Sequence, residues 1–121
     1  MAGIKIILER LQIFAAKIFT SNNMKRYMHD VSRKVRLVDT SEFDVQDYSE
    51  FYGFICGVIS NNFDISNFYV DSLFKIVNNK TDGMECFFKG IESLSKKFHI
   101  SFVFSISIEP ADVPEYLKKY I

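Results

Sequence analysis

Tryptophan is absent from the 121-residue chain, and proline (two), glycine (five), cysteine (two) and histidine (two) are scarce. Scarce Pro and Gly predict long elements joined by Asn, Ser and Asp turns. The glycine signatures that cradle phosphate, G-x-x-x-x-G-K-[ST] and G-x-G-x-x-G, are missing, which excludes the commonest nucleotide-binding loops. There is no C-x-x-C, and His29 and His99 stand apart, so a zinc site built from closely spaced ligands is excluded. G-x-S-x-G is missing too, and neither His sits in a motif that would serve a nucleophile. His29 reads as part of a solvated basic face and His99 as a surface or capping residue at a helix-to-strand corner.

An uninterrupted apolar run is also lacking. Lys5, Glu9, Arg10 and Lys17 break the most hydrophobic stretch, Ile4 to Phe19, whereas a membrane-spanning helix needs about 20 predominantly apolar residues. A cytoplasmic chain without membrane contact is expected, with Cys56 and Cys86 buried and reduced inside helical patterns. Nor does one sign of charge dominate, since fifteen Lys/Arg balance fifteen Asp/Glu. The signs are segregated, however. Residues 1–36 hold eight Lys/Arg against two acids, and residues 37–73 hold seven acids and no Lys/Arg. Charge complementarity inside one fold accounts for this. The sharper alternative is nucleic-acid binding through Lys25, Arg26, Arg33, Lys34 and Arg36, which a neutral domain without a dense basic stripe supports only weakly.

What the chain does have is apolar surface: 48 % hydrophobic residues, with thirteen Phe and six Tyr. That is ample for one domain over residues 1–121, with a core of aromatic plates. Helical spacing of Ile4, Ile7, Leu8, Leu11, Phe14, Ala15 and Ile18 predicts a first helix, with Lys17 to Ser21 as its last turn or a short strand. Asn22 or Asn23 then caps a second helix carrying Met24, Tyr27, Met28 and Val31. Val35 to Asp39 reads as a strand, Val45 to Ser60 as a helix, and Phe68 to Leu73 as a strand buried on both faces. A helix over Met84 to Phe98, with Glu85–Lys89 and Glu92–Lys96 on its solvent side, leads into a strand over Ile100 to Ile108. Asp112 is placed to cap a short final helix. The alternation predicts an α/β fold, a mostly parallel sheet of three to four strands with helices on both faces.

In such a sheet ligands bind beyond the carboxyl ends of the strands. That edge gathers Thr20, Ser21, Asp39 to Ser41, Asp71, Ser72, Ser107 and Glu109. Asp71, at the tip of a buried apolar strand and followed by a hydroxyl, is the leading candidate, with a helix-capping or loop-ordering role as its plain alternative. Asp39, Asp71 and Glu109 are also the candidates for an acidic, metal-binding cluster. Only three residues precede the predicted first helix, which leaves no room for a strand ahead of a phosphate loop.

From Lys34 onward, the order of elements and the Phe68-Tyr69-Val70-Asp71-Ser72-Leu73 strand end resemble the RecA/KaiC-like P-loop ATPases. The resemblance covers roughly 70 % of the chain. It implies that Asp71 stands at the Walker B acid position, where magnesium is organised, with Ser72 beside it. It equally implies a severe departure, because the lysine and hydroxyl that hold the phosphates have no counterpart. The expectation is a non-catalytic, RecA-like domain without a resident cofactor, acting as a regulatory or protein-interaction module for a protein partner or a second copy. The competing expectations are a magnesium-nucleotide sensor using Asp71, Ser72, Asp39 and Glu109, and a nucleic-acid accessory factor using the basic segment.

Overall fold

The first strand forms where the periodicity predicted a helix. The computed structural model describes residues 3–8, 18–21, 36–61 and 65–121, and its chain begins with β1 (Gly3–Ile7). Three of these five residues are β-branched Ile, and Ile4 and Ile6 point to the face that packs while Gly3 and Lys5 are exposed. The spacing that suggested an amphipathic helix therefore contains a two-residue alternation, which pairing with a buried strand selects. Residues 9–17, the rest of the predicted first helix, and residues 24–33, the predicted second, lie outside the described residues.

The other strands are β2 (Ile18–Ser21), β3 (Arg36–Asp39), β4 (Asn67–Asp71) and β5 (Ser101–Ser105). Every pairing is parallel, in the order β1-β5-β4-β2-β3. The α/β class and parallel sheet are as expected, with five strands because the N-terminal segment contributes two. β3 connects to β4 through α1 (Tyr48–Ser60), and β4 to β5 through α2 (Leu73–Ile76) and α3 (Met84–Phe98).

Local chemistry sets these boundaries. Asp47 caps α1 by accepting from Glu50 N at 2.9 Å, and the Glu50 carboxylate reaches back to Gln46 N at 2.9 Å, so two orphan amides are satisfied at once. α3 covers the predicted Met84–Phe98 and ends at His99, whose left-handed backbone (φ 57°) closes the helix. Lys89 and Glu85 pair across one turn at 3.6 Å, while Glu92 accepts from the Tyr120 hydroxyl at 3.4 Å. Leu73 begins α2 rather than extending the strand, because Ser72 turns the chain sharply at φ 59°. At the far end two short 3-10 segments, Pro110–Asp112 and Glu115–Tyr120, replace the predicted final helix. Pro114 precedes the second segment in the capping position that Asp112 was expected to fill. Both cysteines are free, as expected, but Cys86 is exposed rather than buried and Cys56 is half-buried. The α3 stripe of Met84, Phe87, Phe88, Ile91 and Leu94 faces the core and leaves Cys86 on the solvent side.

The core lies between the sheet and the two long helices. Ile4, Phe102 and Phe68 share one row of the sheet, and Ile6, Phe104 and Val70 the next, with all but the half-buried Ile4 excluded from water. Phe87 is the hub above them, with ring centroids 5.1 Å from Tyr48, 5.8 Å from Phe51, 6.5 Å from Tyr52, 5.3 Å from Phe88 and 5.9 Å from Phe104. Tyr52 lies directly over Gly90, where an added Cβ would come within 2.7 Å of its ring. A side chain at this position would push the Tyr52 ring aside, so glycine lets α1 rest its ring on α3.

Tyr48 carries an anomaly into this core. It is 1 % exposed, and among the described residues its hydroxyl has no hydrogen-bond partner. Burial, with Tyr116 adding, raises its pKa far above the ordinary 10. Because the folded state holds this proton more tightly than the unfolded chain, stability is present below pH 10 and is lost as the pH rises above it. Tyr52, Tyr116 and Tyr120 are shifted in the same direction, each chiefly by burial. Tyr48→Phe removes an unsatisfied group, so neutral pH should show a change between none and about 1 kcal/mol of added stability. Thermal melts from pH 7 to 11 should show the variant losing less stability than the parent above pH 10; identical alkaline slopes would contradict the burial of this hydroxyl.

Candidate functional site

The carboxyl ends of the strands share one level. In the sheet register Ser21 stands opposite Asp39 on one side and Asp71 on the other, and Ile7 stands opposite Ser105. Val70 pairs with Phe104, which makes Asp71 and Ser105 the next residues along adjoining strands. A polar row, Ser105–Asp71–Ser21–Asp39, thus crosses four strands. The chain leaves β2 for β3 and leaves β4 for β5, in opposite directions across the sheet. The gap between β2 and β4 is therefore a topological switch point, the place where open parallel sheets receive ligands.

Asp71 is the centre of the row, and it is 1 % exposed. The Ser105 hydroxyl donates to Asp71 Oδ1 at 2.8 Å and accepts from the Ser72 backbone N–H at 2.8 Å. Ser72 Oγ lies 3.4 Å from Asp71 Oδ2. One hydroxyl therefore ties the carboxylate of β4 and the first peptide beyond β4 to the end of β5. Ser72 sits in the left-handed region at φ 59°, a conformation that costs a non-glycine residue roughly 1–2 kcal/mol. In return its carbonyl receives the Lys75 and Ile76 amides, which starts α2.

The other predicted residues divide clearly. Asp39 caps the 3-10 turn Thr40–Glu42, its Oδ1 accepting from Ser41 N at 2.9 Å and Ser41 Oγ at 2.6 Å. Glu109 is exposed beyond the end of β5, where it precedes the turn Pro110–Asp112, so it does not join the row. Ser107 is likewise exposed beyond the strand. Lys25, Arg26, Arg33 and Lys34 lie outside the described residues, and Arg36 opens β3 opposite Ile18. Among the described residues no three His, Cys, Asp or Glu gather in a group that could hold a metal ion. Magnesium held by one or two strand-end carboxylates depends on phosphate oxygens and water for the rest of its shell, and the sequence contains neither G-x-x-x-x-G-K-[ST] nor G-x-G-x-x-G to place a phosphate. β1 does supply a strand ahead of residue 8, contrary to expectation, but no glycine-rich motif follows it.

Ser105 is the residue that sequence reasoning passed over. Its signal was present in the alternation of Ser101, Ser105 and Ser107 with Phe and Ile. The strand ends earlier than predicted, so the hydroxyl at the edge is Ser105 and not Ser107.

A second concavity lies beside this row. The Thr40–Gln46 loop and α2 border an open cavity of about 440 Å³. The Asn78 side-chain amide, carried on a left-handed residue (φ 56°), closes one end by donating to the Gln46 carbonyl at 3.3 Å and to Gln46 Oε1 at 2.9 Å.

Comparison with protein-family models, with curated proteins and with solved structures returns no match. Among the described residues no helix is long and apolar enough to cross a membrane.

Proposed function

We propose that this chain is a non-catalytic α/β domain, of RecA/KaiC-like descent, that serves as a regulatory or protein-interaction module in the cytoplasm, binding a protein partner or a second copy of itself. The observation that carries the reading is the state of Asp71: buried, and bonded through Ser105 into the sheet. A carboxylate used in this way joins two strand ends and orders the turn after them. The absence of both glycine-rich phosphate-loop motifs points the same way, since positioned phosphate contacts supply most of the catalysis in phosphoryl transfer. The main competitor is a magnesium-nucleotide sensor, favoured by the position of Asp71 beside the switch point.

Calorimetric titration of the chain with ATP and magnesium separates the two. The interaction-module reading predicts no saturable heat at millimolar nucleotide. Saturable binding that disappears in Asp71→Asn would overturn it in favour of the sensor.

A further inference from the structure

We propose that the cavity between the Thr40–Gln46 loop and α2 binds a small zwitterion, specifically a free α-amino acid. The inference is independent of the reading above, because neither Asp71 nor Ser105 lines this cavity. It rests on charge placement. Glu42 and Asp44 stand on the loop wall and Lys75 on the helix wall. Among the described residues, neither the Lys75 ammonium nor the Glu42 carboxylate has an ion-pair or hydrogen-bond partner. Opposite charges that line one groove and leave each other unpaired match a ligand of the reverse polarity. Its carboxylate would meet Lys75 Nζ, and its ammonium the Glu42 and Asp44 carboxylates.

Two further features suit the walls to that task. Asp44 Oδ1 is held by Gln46 Nε2 at 2.7 Å, and Gln46 is held in turn by Asn78, so the loop is fixed at a set distance from the segment that follows α2. A wall fixed before binding does not have to be ordered by the ligand. The volume of about 440 Å³ falls within the range of small-molecule sites.

The test is a saturation-transfer NMR screen of the full chain against the twenty proteinogenic amino acids at millimolar concentration, followed by calorimetry on the strongest binder. The expected result is binding that falls about tenfold or more when either charge of the site is removed, in Lys75→Met or Glu42→Gln. The N-acetyl and the carboxamide derivative of the same amino acid should each lose affinity to a similar degree. Both substituted side chains are solvent-exposed, and unchanged melting temperatures would certify that the variants fold. Silence across the whole screen would overturn the proposal. So would equal binding of the N-acetyl derivative, which would indicate a simple anion site, or equal binding of the carboxamide, which would indicate a simple cation site. Binding that survives both substitutions would place the ligand elsewhere and would equally overturn it.

Discussion

Replacing Ser105 with Ala is expected to cost about 2–4 kcal/mol of folding stability, a large loss for a side chain that differs by one oxygen. That oxygen has two buried duties, donating to the Asp71 carboxylate and accepting from the Ser72 amide. Hydrogen bonds to charged groups contribute more than neutral ones, and a buried partner left unpaired loses its solvation without compensation. Loss of Ser105 also frees the peptide that holds Ser72 in its left-handed conformation, so α2 should loosen with it. Urea denaturation measures the stability, and hydrogen exchange over residues 72–76 reports the local effect. A change below about 0.5 kcal/mol, the level of ordinary surface substitutions, would mean that the polar row does not hold the strand ends together.

Phe87→Ala should cost about 3–5 kcal/mol. Phe87 touches five other aromatic rings drawn from α1, α3 and β5, and it is nearly fully buried. Its removal opens a cavity where the two helices meet the sheet. Because Tyr52 rests on Gly90 and Phe51 stacks on Phe87, the neighbours have little freedom to fill the gap. Domains of this size have total stabilities on the order of 5–15 kcal/mol, so the variant should sit near the folding threshold. A loss of near-UV aromatic dichroism with retained helical far-UV signal would be the corresponding spectroscopic outcome. By contrast Phe98→Ala, on an exposed residue of the same helix, should change stability little. Equal losses at Phe87 and Phe98 would refute the assignment of Phe87 as the hub.

The difference between these two phenylalanines shows what the sequence could convey. Over Met84 to Phe98 the apolar spacing, the i, i+4 charges and the following β-rich run agree, and the helix appears where predicted. Agreement between local and longer-range signals makes such a segment readable. At Gly3 to Ile7 the signals conflict. The residues fit both a helical stripe and a two-residue alternation, and the choice is made by pairing with β5, almost a hundred positions away in the chain. No local pattern encodes that pairing. The same reason hid the role of Ser105. Asp71 was legible because an acid after a run of apolar residues marks a strand end, but the donor that holds it comes from another strand. Asp39 shows the opposite case, since its turn with Ser41 is local and joins residues two apart in the chain. Ser72 combines both cases, since its place after Asp71 was evident and its left-handed backbone was not.

The polar row Ser105–Asp71–Ser21–Asp39 also bears on how the domain is built. If Asp71 serves the sheet, then the strand edge is a rigid platform on which loops can vary, and recognition belongs to the surfaces around it. The Thr40–Gln46 loop is one such surface, anchored by the Asp39 cap at its start and the Gln46–Asn78 contact at its end.

The measurement that tests this account most directly is a double-mutant cycle on Asp71 and Ser105, with stabilities of Asp71→Ala, Ser105→Ala and the double variant taken from urea unfolding. The account predicts that the two losses are not additive, with a coupling of about 1–3 kcal/mol because each variant breaks the same buried bond. Additive losses with no coupling would contradict it, since Asp71 would then not be held by Ser105 and its carboxylate would be left for some other task.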